Sequence, residues 1–522
     1  MNSTQAELFA RSFQSQVARN PGAACITLPL LRELELVGAV NERCSGEHVV
    51  SHGQIAQLLV LNRLQAPRPL YKVGDWLAQT ALANALAVQP TQAHDTRLGE
   101  TLDALFPQHQ AIWQAVILTA VRRYQLPLAW LHYDITSTYF EGLYTESEFV
   151  KFGYSRDQRP DTKQLNLGLN ITGDGLPLAF RVLVGNTADA TTPRENMTAV
   201  QTLLQHAPTT ETTVVHDRAM ATPETLVWYD AHQQSFISPI TADESLQALM
   251  DAVSASELQA AMLDYLPQRA PANRAPLYAG VWREHTLTYQ KQALRARVLV
   301  VYSHTKAKLD AEKRQAQLNK LCQRLTVIQS HLNQRKYKQR AYTLEQIHLA
   351  QRGNAAKTLL DITLQGEDGA LSLTFQVNAE RLAQAQQRDG RYPIVTNRWD
   401  LSAAEVLQRV KQQDLAEKRF ALVKGPLQVH PMWLHKDERL VSLVLVVMLA
   451  LLIYCLLEYL VRQLQRQITG RALLELFASY TVVLLQFVDG SRLWTFPELT
   501  PMQADVIERL RFAPPQITLM LS

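Results

Sequence analysis

Apolar residues recur every three or four positions through the first quarter of the chain. "GQIAQLLVLNRL" (53–64), "VGDWLAQTALANAL" (73–86) and "TRLGETLDALF" (96–106) carry this spacing, punctuated by Pro67, Pro69 and Pro90. The pattern predicts a helical module over 1–122, with a part in DNA binding or dimerisation or a purely structural one. From Trp130 the period falls to two. "WLHYDITSTYF" (130–140) is rich in aromatic and β-branched residues, "QLNLGLNI" (164–171) alternates, and "LPLAFRVLVG" (176–185) returns after "GDG", where Asp174-Gly175 favours a primed turn. A helical pattern (195–206), a short strand "TTVVHD" (212–217), a helix (223–233) and a strand "SFISPI" (235–240) follow. The order β-β-β-α-β-α-β predicts an α/β class with a ribonuclease-H-like mixed sheet and flanking helices, its first part spanning 123–240.

The pattern then changes. Residues 241–400 read as an insertion domain with strand-like pieces at 277–289 and 296–303, a helical stretch over 305–352, and further strand-like text in "LLDITLQG" and "ALSLTFQVN". Leu318, Leu321, Leu325, Ile328 and Leu332 form a heptad-like seam, and 306–340 holds ten Lys or Arg against two acids. Two readings stand side by side: a helical hairpin packed on its own insertion, or a basic arm along DNA phosphates. The second part of the core (401–522) opens with a helix from Ser402 to Gly425, which Ser402 and Glu405 begin with a capping box.

Between Arg439 and Glu458 lie 18 uncharged residues, "LVSLVLVVMLALLIYCLL", at the lower limit for a membrane span. A single short span followed by Glu458 and Arg462 is read instead as a helix in the heart of a domain, with no membrane role. Composition adds bounds. With 522 residues, 47% hydrophobic and 19% charged, the chain is long enough for several ordered domains. A formal charge of +4 makes local clustering, not the total, the measure of any nucleic-acid affinity. Cys25, Cys44, Cys322 and Cys455 lack C-x-x-C spacing, which argues against a zinc site or a disulfide framework and fits a reducing cytoplasm. The polar start, Asn2 to Gln5, gives no sign of a signal peptide.

The chemistry begins with Asp134. A carboxylate inside an apolar strand costs several kcal/mol, on the order of 3 or more, unless a base, a hydrogen-bond network or a metal compensates it. Asp217 ends the fourth strand of the core, which is a neighbour of the first in this topology, so the two acids are expected at one edge of a cleft. Carboxylate oxygens suit Mg²⁺ or Mn²⁺, and two such ions can clamp the attacking and leaving oxygens of phosphoryl transfer. Glu417 and Glu405 are the candidates for a third acid.

Four blocks carry a resemblance: "HYDITSTYFEG" (132–142), "GYSRDQRPDTKQLNLGLNITGDGLPLAFRVLVGNTAD" (153–189), "VVHDRAM" (214–220) and "LAEKRFALVKGPLQVHPMWLHKDERL" (415–440). In this order they resemble DDE transposases of bacterial insertion sequences, the insertion-sequence-four superfamily. The resemblance implies Asp134, Asp217 and Glu417 as catalytic acids that bind two Mg²⁺ or Mn²⁺ ions, with cleavage at element ends and strand transfer into target DNA. It implies action as a homodimer in the bacterial cytoplasm. The family's helix signature of Tyr, Arg, Glu and Lys, at successive offsets of three, four and seven, sets Lys424 after Glu417. Val410 and Gln413 stand in place of Tyr and Arg, and Ala219 in place of a Gly. Lys424, Arg156, Arg159 and Lys163 are the implied DNA contacts, with Arg218 a further candidate more readily read as a structural surface residue. A nuclease without strand transfer and a transposase-derived DNA-binding protein are the alternatives. His132 and His216 flank the acids but point to the opposite strand face by alternation. Asp157 and Asp161 read as loop organisers, and Trp433, His435 and Lys436 as candidates for the same cleft.

Overall fold

A computed structural model of the chain describes residues 13–208, 211–265, 277–427, 434, 436–464 and 468–520. Strand β1 (Phe13–Arg19) precedes helices α1 (Ala24–Glu33), α2 (His52–Gln65), α3 (Asp95–Leu105) and α4 (His109–Tyr124). Strands β2 (Trp130–Phe140), β3 (Lys163–Thr172) and β4 (Pro177–Val184) are followed by α5 (Pro193–Leu204), β5 (Thr213–His216), α6 (Pro223–Ala231) and β6 (Ser235–Pro239). Next come β7 (Tyr278–Tyr289), β8 (Gln292–Ser303), α7 (His304–Ser330), α8 (Arg340–Gln351), β9 (Leu360–Gln365), β10 (Ser372–Val377) and β11 (Arg391–Thr396). Helices α9 (Ala403–Lys411), α10 (Asp414–Lys424), α11 (Asp437–Gln463) and α12 (Gly470–Ala478) lead to β12 (Val482–Phe487) and β13 (Arg492–Thr495). The architecture is mixed α/β with flanking helices, and the order β2 to β6 with its two helices is the ribonuclease-H-like succession the periodicities predict.

The chain forms two compact units, one of residues 1–220 and 412–522 and one of 221–411. Sequence patterning puts these joints at 240 and 400. The difference at the first joint has a local cause: β6 pairs antiparallel with β11, Ile237 opposite Thr396, and the Thr396 hydroxyl donates to the Phe236 carbonyl at 2.6 Å.

In the first unit the strand order is β4-β3-β2-β5. The first three run antiparallel, and β5 lies parallel to β2 after the α5 crossover. The β3–β4 turn is not primed. Of Gly173, Asp174 and Gly175 only Gly175 takes a positive φ, +80°, so a turn of ordinary hand is followed by one left-handed glycine. A Cβ there would also stand 2.8 Å from a guanidinium nitrogen of Arg419, so glycine meets two demands at once.

The core of this unit is α11. Every residue from Leu440 to Glu458 is buried, against α2, α3, α4, α10, α12 and β4. A helix apolar on all sides needs such a surround, and α11 meets it inside protein. The N-terminal region is not purely helical: β1 pairs antiparallel with β12, and β13 completes that sheet.

In the second unit the order is β6-β11-β8-β7, all antiparallel, with β9 and β10 forming a separate ribbon. Helices α7 and α8 make the expected hairpin. Its leucine seam is covered from within the unit, where Leu318, Leu321, Leu325 and Ile328 pack with Ile347, Ala350, Leu359 and Leu373.

Candidate active site

The parallel register of β2 and β5 sets Tyr133 beside His216. Asp134 and Asp217 directly follow this last pair, so residues 83 positions apart in sequence come within electrostatic reach of each other where the pairing ends. Asp134 is half-buried and accepts a hydrogen bond from the Ile135 amide at 2.8 Å, while exposed Asp217 accepts from the Arg218 amide at 2.7 Å. Burial pushes the Asp134 carboxyl up to about 7; the Ile135 N–H and Arg156 oppose this, and the charges of Asp217 and Glu417 add to it. Glu417 is exposed on α10 and close enough to be felt at Asp134. Among the described residues no group of three or more His, Cys, Asp or Glu stands close enough to enclose a metal ion. Glu405 does other work, since its carboxylate accepts from the backbone and hydroxyl of Ser402 in the predicted capping box.

The expected continuous helix from Ser402 to Gly425 is broken at 412–413. No proline or glycine marks the break. Gln413 instead sends its side chain to β2, donating to the Tyr133 carbonyl at 2.8 Å and meeting His132 Nδ1 at 3.2 Å through Oε1. It stands at the start of α10 and fastens that helix to the strand carrying Asp134. Two residues beyond Glu417, buried Arg419 makes the second fastening: Nε donates to the Gly175 carbonyl at 2.7 Å and Nη2 reaches Glu458 at 2.8 Å. Glu458 also holds Arg462 at 2.8 Å and accepts from the Gly470 amide at 3.2 Å. Helix α10 is thus tied to β2, to the β3–β4 turn and to α11.

The four candidate DNA contacts all have partners within the first unit. Lys424 pairs with Asp157 at 2.6 Å, Arg156 with Asp189, and Arg159 with Asp161 at 3.0 Å while lying over the Tyr139 ring. Lys163 donates to the carbonyls of Leu143 and Tyr144, at 2.5 and 2.9 Å. Asp157 and Asp161 therefore organise the loop as expected. His216 is buried, and burial pushes its pKa down to about 4 against the Asp217 carbonyl and carboxylate. Arg218 and Ala219 are exposed, Val410 lies in α9, and Lys436 precedes α11. Trp433 and His435 fall outside the described residues.

A family profile described as a domain of unknown function (DUF4277) matches residues 25–118, from α1 into α4. No curated protein matches the chain. Among solved structures, the chain is similar to the piggyBac transposase in a synaptic complex with hairpin DNA, with a TM-score of 0.42 and 6% identity over 89% of this chain and 82% of that one. It is also similar to the Mos1 transposase in a paired-end complex with the left transposon end, with a TM-score of 0.16 and 12% identity over 40% of this chain and 63% of that one.

Two site residues escape a reading of sequence patterns. Gln413 stands out only as a departure from the signature, and Arg419 looks like one more charge on an amphipathic helix. The one available signal for Arg419 was Glu458, an acid closing an 18-residue uncharged run that a buried helix must neutralise.

Proposed function

We propose that the chain is a DDE-type transposase that cuts DNA at the ends of an insertion sequence and joins them to target DNA. The observation that carries this is that Asp134 and Asp217 directly follow the last residue pair of a parallel strand pairing, with Asp217 and Glu417 both within electrostatic reach of Asp134. The donor set fits hard divalent cations: all three side chains are carboxylates, and burial together with the charges of Asp217 and Glu417 raises the Asp134 carboxyl, an unfavourable concentration of negative charge that a cation would offset. Asp134, Asp217 and Glu417 would hold the metal, Mg²⁺ or Mn²⁺, which when bound supplies Lewis-acid activation of phosphodiester oxygens. Gln413 and Arg419 position Glu417 by fixing α10. Lys424 and Arg156 leave Asp157 and Asp189 to meet phosphate, and Arg159 and Lys163 extend the same loop's contacts. Cutting two ends together calls for two protomers, and the setting is the bacterial cytoplasm.

The test is cleavage of a labelled duplex carrying the element's terminal repeats, with Mg²⁺ or Mn²⁺, beside Asp134→Asn, Asp217→Asn and Glu417→Gln. Cutting at the repeat boundary by the parent and background cutting by each folded variant is the expected result. Parent-level cutting by any one of the three removes that residue from the site. A second reading, a transposase-derived DNA-binding protein without cutting, is favoured by Val410 and Gln413 in the signature positions; repeat binding with no metal-dependent cleavage would establish it. Nicked products that never join target DNA would instead mark a nuclease.

A further inference from the structure

We infer that the α7–α8 hairpin of the second unit is a docking surface for the backbone of duplex DNA, built from a cation stripe along α7 and a fixed basic tip. The inference rests on the DNA-processing reading for its choice of partner.

The stripe follows from helix geometry. Lys306, Lys313, Lys320 and Arg324 are separated by seven, seven and four residues, which at about 100° per residue keeps them within an arc of about 40°. His331, just past the helix, continues the same line. Along about 27 Å of helix between Lys306 and Arg324, duplex DNA presents about sixteen phosphate charges. Lys306 is engaged by Asp310, Lys313 and Lys320 are exposed, and exposed Arg324 makes one long contact, from Nη1 to the Ala350 carbonyl at 3.5 Å. The leucine seam lies roughly a quarter-turn away and is already covered by α8, β10 and the segment before β9. That covering takes the seam out of use as a dimer contact and leaves the charged face as the open side of the helix.

The tip, "QRKYKQR" (334–340), carries four cations and no acid. Such a sequence is expected to be loose, yet here it is strapped down. Asn333 and Arg335 both take left-handed backbone, with φ of 63° and 46°. Asn333 exchanges two hydrogen bonds with the backbone of Leu371, at 3.0 and 2.7 Å. Gly369 N–H donates to the Lys338 carbonyl at 2.7 Å, and the Arg340 amide donates to Asp368 at 2.9 Å. Tyr337 lies against His331, which brings the tip to the end of the stripe. Arg335, Lys336 and Lys338 remain exposed. Left-handed backbone at a non-glycine residue is unfavourable and persists where the surroundings over-determine it. Cations fixed beforehand lose less entropy on meeting a rigid polyanion. Of the acids nearby, Asp310 and Asp368 are engaged as described, and Glu312, Glu345 and Glu367 are too few to cancel the six exposed cations.

The experiment uses the full chain and a labelled duplex of arbitrary sequence in EDTA, so that binding is read without cutting. Log affinity is followed against log salt for the parent, for Lys313→Gln/Lys320→Gln/Arg324→Gln and for Arg335→Gln/Lys336→Gln/Lys338→Gln. Each triple variant is expected to lower the salt slope by about three, close to one per lost phosphate contact. Lys313→Arg/Lys320→Arg is expected to keep the parent slope. An unchanged slope in both triple variants overturns the inference, as does a parent that does not bind duplex. The two readings separate cleanly: metal-dependent cutting by a parent whose triple variants keep its slope leaves the transposase reading standing without this surface. A lowered slope with no cutting leaves the surface standing without the transposase reading.

Discussion

Arg419→Met tests how α10 is held. The substitution keeps most of the side chain's length and removes its charge, its bond to the Gly175 carbonyl and its pair with Glu458. The side chains of Arg419 and Glu458 are 6% and 11% exposed, so the pair sits where breaking one partner costs about 3–5 kcal/mol. Glu458 retains Arg462 and the Gly470 amide, which sets the loss at the lower end, and the abandoned Gly175 carbonyl adds about 1 kcal/mol. A total of about 3–4 kcal/mol is expected, read from urea-induced unfolding. In the Glu458→Gln background the same substitution should cost at least about 1.5 kcal/mol less, since residues in one network couple by such amounts. Because Glu417 lies two residues away on the same helix, any repeat-end cleavage should fall in Arg419→Met even under conditions where the protein is fully folded. A cost below about 1 kcal/mol, or an identical cost with and without Glu458, would refute the claim that this pair anchors the helix.

Asp134→Asn should stabilise the protein at alkaline pH. A carboxyl raised from 3.8 to about 7 on folding leaves stability intact below pH 4 and removes it at about 1.4 kcal/mol per unit until pH 7; partial exposure reduces the total to about 2 kcal/mol. Urea midpoints in EDTA at pH 4 and pH 8 should therefore diverge between parent and variant only at pH 8. His52 works in the opposite direction: burial, then Arg97 and His48, hold it down at about 4, so its contribution is present above pH 6.5 and fades as pH falls through 4. Melting temperatures of His52→Gln and the parent between pH 7 and pH 4 should converge toward acid, and parallel curves would count against this assignment.

The core strands were legible because β-branched and aromatic residues alternate in "WLHYDITSTYF" and "QLNLGLNI", and their order followed from topology. The α7 seam was legible as a seam, but its partner was not: heptad spacing fixes which face is apolar and leaves open what covers it. Strand β1, "FQSQVAR", escaped because its residues alternate between half-buried and exposed with little apolar content. Its strand character comes from β12, not from local preference. The joint between α9 and α10 escaped for a related reason, since "KQQD" contains no helix breaker and the interruption comes from a glutamine reaching a distant carbonyl. The primed turn failed on a single dihedral, where the left-handed residue is Gly175 following an ordinary turn rather than one of its two central residues.

The pairing of β1 with β12 also has a consequence for synthesis. Ser15 and Gln486, which share a side-chain hydrogen bond, are 471 residues apart, and the whole second unit is made between them. On the ribosome β1 emerges well before β12 and must wait for the whole second unit to be made before it can pair. Because α10 follows the second unit in the chain, a chain released by a premature stop within that unit lacks both the strand that pairs with β1 and the helix that carries Glu417.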